Sequence, residues 1–339
     1  MSTLYDSSLV FLGDIYLPEP FDIPVEGNIV FNHEYVISEP TDEPYKNKVN
    51  LVVRENTAVK SFTKATSLFA HLDNNHVMDF GDDALSRTVR LLIDQGVFCY
   101  GNNIINQSTV IHELAGAKFC LLGYNMTAPS ITLDPDSIIT LLKRDIPDAI
   151  SNGAAKIFAT IHFGEENLPR SLPKQEKVAR AAIDLGAEMV IGHHTHCVQN
   201  IETYKGKYIF YSLGNSFFPE LDVPSHFDTN NTPHDRFRIR ETRWNTSGLM
   251  VLYDLFTGKV TLRETTCRKC RFLIGQETFV YKINRKFRIL GNSAGYLRRI
   301  YGFIKNYSFY DGMIFDTRKL TRKLSEKMKY WCKRMRRPI

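Results

Sequence analysis

The stretch Gly186-Ala-Glu-Met-Val-Ile-Gly-His-His-Thr-His196 decides how the rest of the chain is read. Met189-Val-Ile191 is a short apolar run of the kind buried in a layered sheet, and Gly192 ends it. Imidazoles follow at once, at His193, His194 and His196. A glycine after a buried strand demands a defined loop, and the spacing of His194 and His196 projects both rings to one side of an extended segment. The plain alternative is a surface histidine cluster.

Working outward, other strand-like runs end in the same way. Gly13-Asp14 follows Leu9 to Leu12, and Asn32-His-Glu34 follows Asn28 to Phe31. His162-Phe-Gly-Glu165 follows Ala155 to Ile161, and Ser212-Leu-Gly-Asn215 follows Lys207 to Tyr211. Asp73-Asn-Asn-His76 with Asp79 forms a further group. Each alone reads as a turn or a cap. Together they place ligand-type residues at strand C-terminal ends, where open α/β sheets build their sites.

The remaining strand candidates are Gly96 to Tyr100, Ala117 to Leu122 and Glu188 to Ile191. Helical periodicity runs through Ala84 to Gln95, with Asp82-Asp83 as its expected cap and Leu85, Val89, Leu92 and Ile93 as its apolar stripe. It recurs over Ser137 to Ser151 and Lys174 to Leu185. Phe217 to Trp244, rich in Pro, Asp, Asn, His and Arg, reads as a long loop. Gly248 to Tyr253 and Gly258 to Glu264 then read as a closing antiparallel hairpin. Strands alternating with helices and ending in antiparallel pairs give a mixed α/β and α+β class.

Imidazole, carboxylate and amide oxygen together suit a divalent transition metal cofactor, one or two ions of Mn, Fe or Zn. A pair about 3.5 to 4 Å apart would clamp an oxyanion and lower the pKa of a bridging water.

With these motifs in place the chain resembles the bacterial capsule-synthesis CapA family, of the poly-γ-glutamate-biosynthesis type, within the calcineurin-like metallophosphoesterase superfamily. The matching pieces are Leu12-Gly-Asp14, Asn32-His-Glu34, Asn74-Asn-His-Val-Met-Asp-Phe-Gly81, His162-Phe-Gly-Glu165, Gly186 to His196, and Tyr211-Ser-Leu-Gly-Asn215. The resemblance covers about residues 9 to 218 and implies a four-layer αββα sandwich with its site on loops at one edge of the two sheets. It also implies residue roles. Asn75 would bind metal, while His76 would contact the substrate phosphate and protonate the leaving group. One ion would take Glu34, Asn75, His162 and His194, and the other Asp14, Glu34 and His196. Asp79 and Glu165 would orient His76 and His162, with helix capping as the other reading of Asp79. The superfamily opens with Asp-x-His, whereas this chain has Asp14-Ile-Tyr16, so Tyr16 is either a phenolate ligand or a packed strand residue.

Of 339 residues, 43% are hydrophobic and 24% charged, which excludes disordered, collagen-like and disulfide-stapled classes. The net charge of +6 is unevenly placed. Residues 284–339 carry 16 Lys and Arg against Asp311, Asp316 and Glu326, a balance of +13, so residues 1–283 carry −7. The expected division is therefore a metallophosphoesterase-like domain over 1–283 and a basic, mostly helical extension over 284–339. In the extension, residues 316–337 read as a basic amphipathic helix suited to an anionic membrane surface, or to docking on its own domain. Six scattered cysteines and the absence of a signal-like N-terminus predict a reduced, cytoplasmic chain, peripheral at the inner membrane face if the basic helix binds there. Cys267-Arg-Lys-Cys270 has no second CxxC to make a zinc ribbon.

Three functions follow as expectations. The first is a metal-dependent hydrolase or transferase acting on a phosphoester or related anionic polymer bond alongside other polymer-synthesis proteins. The second is a non-catalytic metal-binding assembly or polymer-binding protein. The third is a phosphodiesterase on nucleic acid, disfavoured because no nucleic-acid module is readable.

Overall fold

A computed structural model describes residues 6–288, apart from residues 47, 106–108, 128–133, 229 and 243–244. The first half runs β1 (Ser8–Ile15), β2 (Gly27–His33), β3 (Val36–Ile37), β4 (Val52–Val53), α1 (Thr57–Ser61), β5 (Ala65–His71), α2 (Gly81–Asp94), β6 (Val97–Tyr100), β7 (Ile111–Leu114) and β8 (Ala117–Asn125). It continues with α3 (Pro135–Ser151), β9 (Lys156–His162), α4 (Pro173–Leu185), β10 (Met189–His193), β11 (Ile201–Tyr204), β12 (Lys207–Phe210) and β13 (Asn215–Phe217). The last described elements are β14 (Leu221–Phe227), β15 (Pro233–Ile239), β16 (Ser247–Asp254), β17 (Val260–Arg268), β18 (Arg271–Thr278) and α5 (Val280–Arg288).

Two sheets carry the fold. One has the order β18-β17-β16-β1-β2-β5-β6 with β13 also paired to β1, and the other has the order β11-β12-β10-β9-β8-β7. Side chains alternate across each strand, so the packing of successive residues identifies the layers. In β1, Leu9 and Phe11 join a cluster with Phe119 and Leu121 of β8, Phe158 of β9 and Ile191 of β10, which fills the space between the sheets. Val10 and Leu12 point the other way, into the cluster that takes Ala58 of α1 and Leu92 of α2. Cys120 and Leu122 of β8 likewise turn away from the partner sheet toward Ile138, Leu142 and Ile146 of α3 and Val178 and Ala182 of α4. Each sheet is thus covered on both faces, and its central strands are near-continuous apolar runs. The expected mixed α/β, four-layer αββα architecture is present.

The helix boundaries follow local chemistry. Asp134 caps α3 by accepting from the Asp136 and Ser137 amides, with Pro135 in the first turn, and Gly186 closes α4 in the left-handed conformation. For α2 the expected cap is corrected: Asp82 and Asp83 sit inside the first turn and Phe80 holds the cap position without a side-chain bond. The acidic pair still favours that terminus through the helix dipole.

One further expectation changes. Phe217 to Trp244 is not simply a loop, because β14 and β15 pair antiparallel from Leu221↔Ile239 to Phe227↔Pro233 as a two-stranded sheet of their own. Such a ribbon buries little, so its sequence is polar and tolerates Pro224. β5 is not among the strand candidates of the sequence, since its opening Ala65 and Ser67 are only partly buried and Thr66 is exposed. At the C-terminal end, α5 runs across residue 284, where the sequence reading divides the chain. Residues 289–339, with the amphipathic stretch 316–337, lie outside the described residues. Among the described residues no helix is long and apolar enough to cross a membrane.

Candidate metal centre

The parallel strands β1, β2 and β5 of one sheet and β9 and β10 of the other bring their C-terminal ends together. Asp14 lies near the end of β1, Glu34 one residue beyond β2, and Asn75 and His76 in the turns after β5. His162 ends β9, and His194 and His196 follow β10. All of these residues are buried, none more than 8% exposed. Two glycines make the assembly possible. A Cβ on Gly13 would lie 1.8 Å from the Gly214 carbonyl oxygen, and one on Gly192 would lie 2.0 Å from the Tyr211 carbonyl oxygen. The first approach lets the Asp14 amide bond Gly214 O at 2.9 Å, which sets β13 and Asn215 beside β1.

The structure brings the expected ligand-type residues into two groups that share Glu34. Ligand atoms of Glu34, His162 and His194 lie within 4.8 Å of one another, and so do those of Asp14, Glu34 and His196. Asn75 enters the first group, its Oδ1 lying 2.7 Å from His162 Nε2. The second group gains a residue that sequence reasoning left out of the site: Asn215 Oδ1 lies 2.9 Å from His196 Nδ1. Its signal was present in Ser212-Leu-Gly-Asn215, but only pairing of β13 with β1 shows where that strand end goes.

Neighbouring groups fix these side chains. Asn32 Nδ2 donates to Asp14 Oδ1 at 2.9 Å and lies 3.3 Å from His162 Nδ1. Asn74 Nδ2 donates to the His33 carbonyl and to Asn32 Oδ1, while its own Oδ1 accepts from the His76 amide at 2.9 Å. Behind it, the buried Asp73 carboxylate accepts from the Asn103, Ile104 and Ile105 amides. His76 Nδ1 lies 2.7 Å from Asp79 Oδ2. Asp79 also accepts from the Leu51 amide and from Lys48, a second residue missed in the sequence because its loop has no pattern of its own. Asp79 therefore orients His76, and the helix-capping alternative falls away.

Electrostatics test whether this cluster suits a cation. Burial, with Asp14 and then Glu166 nearby, pushes the Glu34 carboxyl well above the usual carboxylate range. Neither Glu34 oxygen has a hydrogen-bond partner among the described residues, although His162 Nε2 stands 3.4 Å from one and His196 Nδ1 3.9 Å from the other. Burial pushes Asp14 up, but hydrogen bonding and proximity to His193, then His196, bring it net below its ordinary value. Burial also keeps His162 well below the usual imidazole range and His194 down to about 4, so both rings are neutral near pH 7 and have lone pairs to give. His194 Nδ1 is buried without a hydrogen-bond partner among the described residues. A buried carboxylate with two idle oxygens, flanked by neutral imidazoles and amide oxygens, is a donor set that fits a divalent metal.

Three local expectations are corrected. His194 and His196 do not share a face of an extended segment, because both adopt left-handed backbone, with φ of 89° and 53°. That conformation costs about 1–3 kcal/mol per residue, and it delivers His194 to one group and His196 to the other. Glu165 does not orient His162: it is exposed, and the His162 nitrogens face Asn32 and Asn75. The chain turns at Gly164, and the neighbouring Glu166 is the carboxylate whose charge reaches Glu34, His76 and His194. Tyr16 takes the packing role, one residue beyond β1, since it meets Tyr35 and Phe218 edge-on or tilted and donates its hydroxyl to Val52 O at 3.3 Å.

The sequence is similar to those of known proteins. Residues 27–220 match the model of a family described as bacterial capsule synthesis protein PGA_cap. The capsule biosynthesis protein CapA of Bacillus anthracis is 27% identical over 211 residues, which cover 58% of this chain and 50% of that protein. The PGA biosynthesis protein CapA of Bacillus subtilis (strain 168) is 26% identical over 162 residues, 43% of this chain and 41% of the relative. A probable polyglutamine synthesis accessory protein of Mycobacterium tuberculosis is 27% identical over 168 residues, 42% and 43%. The matches thus span half or less of these relatives. With more than half of its length matched by the family model, this chain belongs to the bacterial capsule synthesis protein family.

Proposed function

We propose that this chain is a metal-dependent hydrolase or transferase that acts on a phosphoester or related anionic bond in making a bacterial surface polymer, such as capsule, exopolysaccharide or poly-γ-glutamate. The relatives' names support the polymer, since they speak of capsule, PGA and polyglutamine synthesis. The chemistry rests on one observation above all: buried Glu34 stands between two ligand groups with both oxygens idle. Held by Glu34, Asn75, His162 and His194, and by Asp14, Glu34, His196 and Asn215, one or two ions of Mn, Fe or Zn would supply an acidified water and a clamp for an oxyanion.

The chain's own residues do the rest. Asp79 holds His76 by Nδ1, leaving Nε2 as the nitrogen available to a substrate. Burial keeps the empty ring below its ordinary pKa, and an anion drawn beside it favours the protonated form that a departing oxygen needs. Asn32 orients Asp14, while Asn74 shapes the turn that carries Asn75 and His76.

A hydrolysis screen of the Mn(II)-supplemented chain over phosphomonoesters, phosphodiesters and γ-glutamyl amides tests the reading. His76→Ala should lower turnover about 10²- to 10⁴-fold while metal content is kept. Loaded protein without turnover on any class would turn the conclusion toward the second reading, a metal-binding assembly or polymer-binding protein. Tyr16 favours that reading, because its hydroxyl is spent on Val52 O and the Asp14 group is left short of an imidazole. We further propose, from sequence alone, that residues 316–339 bring the chain to an anionic membrane surface. Deleting them should abolish co-sedimentation with anionic vesicles, and unchanged co-sedimentation would remove the proposal.

A further inference from the structure

Lys48 belongs to a strap between β3 and β4, which pair in parallel through Val36↔Val52. The strap is tied down by polar contacts along its length. Arg54 donates to the Ser38 carbonyl at 2.8 Å, Arg87 pairs with Asp42 at 2.5 Å, and the Tyr45 amide bonds Asp79 O at 2.6 Å. At its far end Val49 bridges to Ser225 of β14, and the His226 amide reaches Lys48 O at 3.4 Å. These ties deliver a lysine whose side chain is only 13% exposed.

Its ammonium group makes two contacts at the metal centre. Lys48 Nζ donates to the main-chain carbonyl of Asn75 at 2.5 Å and to the Asp79 carboxylate. One cation therefore touches the backbone of the residue whose amide oxygen faces His162 and the carboxylate that holds His76.

We propose that Lys48 is a positioning residue, which pins the Asn75–Asp79 turn so that Asn75 and His76 face the cluster before any ligand arrives. The turn follows β5 and has no strand partner of its own to fix the Asn75 carbonyl. Asp79 is fully buried, and a buried carboxylate stripped of its cation draws in water or shifts to reach it. Losing Lys48 would thus disturb both contacts at once. The inference rests on the reading of Asn75 and His76 as working residues of the metal centre, but the positioning itself is measurable without metal.

The test uses the full chain with Lys48→Met, which keeps the aliphatic stem, and Lys48→Arg, whose guanidinium can serve two oxygens. Hydrogen exchange by mass spectrometry on EDTA-treated protein should show peptides over residues 74–80 exchanging about tenfold faster or more in Lys48→Met, the scale of one lost charged hydrogen bond. Other strands should be unchanged and Lys48→Arg should return to the wild-type rate. Mn(II) binding followed by electron paramagnetic resonance should weaken about 10- to 100-fold in Lys48→Met. Wild-type exchange over residues 74–80 in Lys48→Met overturns the proposal. Should Lys48→Met loosen every peptide, Lys48→Gln is read in the same way, and general loosening there also overturns it. Local loosening rescued by arginine, in a wild type that takes up no Mn(II), leaves the positioning role standing and removes the metal reading instead.

Discussion

On one side of Glu34 stand His162, His194 and the Asn75 amide, and on the other stand Asp14, His196 and the Asn215 amide. The first side has no carboxyl besides Glu34, and burial holds its imidazoles deprotonated near pH 7. The second adds a carboxylate kept ionised by His193, and Tyr16 contributes packing instead of a nitrogen. Nitrogen-rich sets suit Zn or Fe, while oxygen-rich sets suit Mn. One shared carboxylate thus joins two unlike donor groups, and under the proposed function the imidazole side should fill first and tightly, the carboxylate side later and weakly.

The largest effect should come from the shared group. Glu34→Gln is expected to weaken both binding steps by more than about 100-fold, beyond the range for residues that only orient ligands, as read by calorimetric titration with Zn(II) and Mn(II). Retention of either step would break the picture of a bridge. His194→Ala comes next and should remove the tight step, by about 100-fold or more, with the weak one left measurable by elemental analysis at excess metal.

A pH measurement separates the sides without metal. The folded pKa of His194 is about 4 against an ordinary 6.5, so below pH 6.5 the unfolded chain takes a proton that the folded chain refuses. Stability contributed by the neutral ring is complete above pH 6.5 and is lost as pH falls toward 4, by about 2 kcal/mol at pH 5. Chemical denaturation of EDTA-treated His194→Gln should show a pH slope flatter by about that amount, while Asn215→Ala keeps the wild-type slope. The smallest effect is Asn215→Ala on metal itself, about tenfold on the weak step alone. An equal loss on the tight step would show that the two sides act as one.

Much of this centre was legible because buried strands must be apolar and the chemistry must follow them. Asp14, Glu34, His162 and His194 each stand at the end of such a run, so their convergence could be read from order alone. What escaped depends on tertiary placement. Lys48 lies 27 and 31 residues from its partners Asn75 and Asp79, on a strap whose sequence is neither helical nor alternating. Asn215 was visible as a strand end, yet nothing local says that its strand pairs with β1. The register of His194 and His196 was misread because left-handed histidines are uncommon, and an extended segment was the simpler expectation. Glu165 and Glu166 are adjacent exposed acids, and only the turn at Gly164 decides that the charge of Glu166 is the one that reaches the cluster.

The approach of Gly13 to Gly214 also has a meaning for the order in which the protein is made. The Gly13 amide bonds Ser216 Oγ across 203 residues, and Asp14 receives the His194 amide across 180. Contacts so distant in sequence close late in folding, after the loop entropy between them has been met. A ribosome-bound chain that has emerged only through α4 possesses Asp14, Glu34, Asn75 and His162, but neither of the later histidines nor Asn215. A growing chain therefore completes the Glu34, Asn75, His162 and His194 group as soon as His194 has emerged, whereas the Asp14, Glu34, His196 and Asn215 group waits for β13.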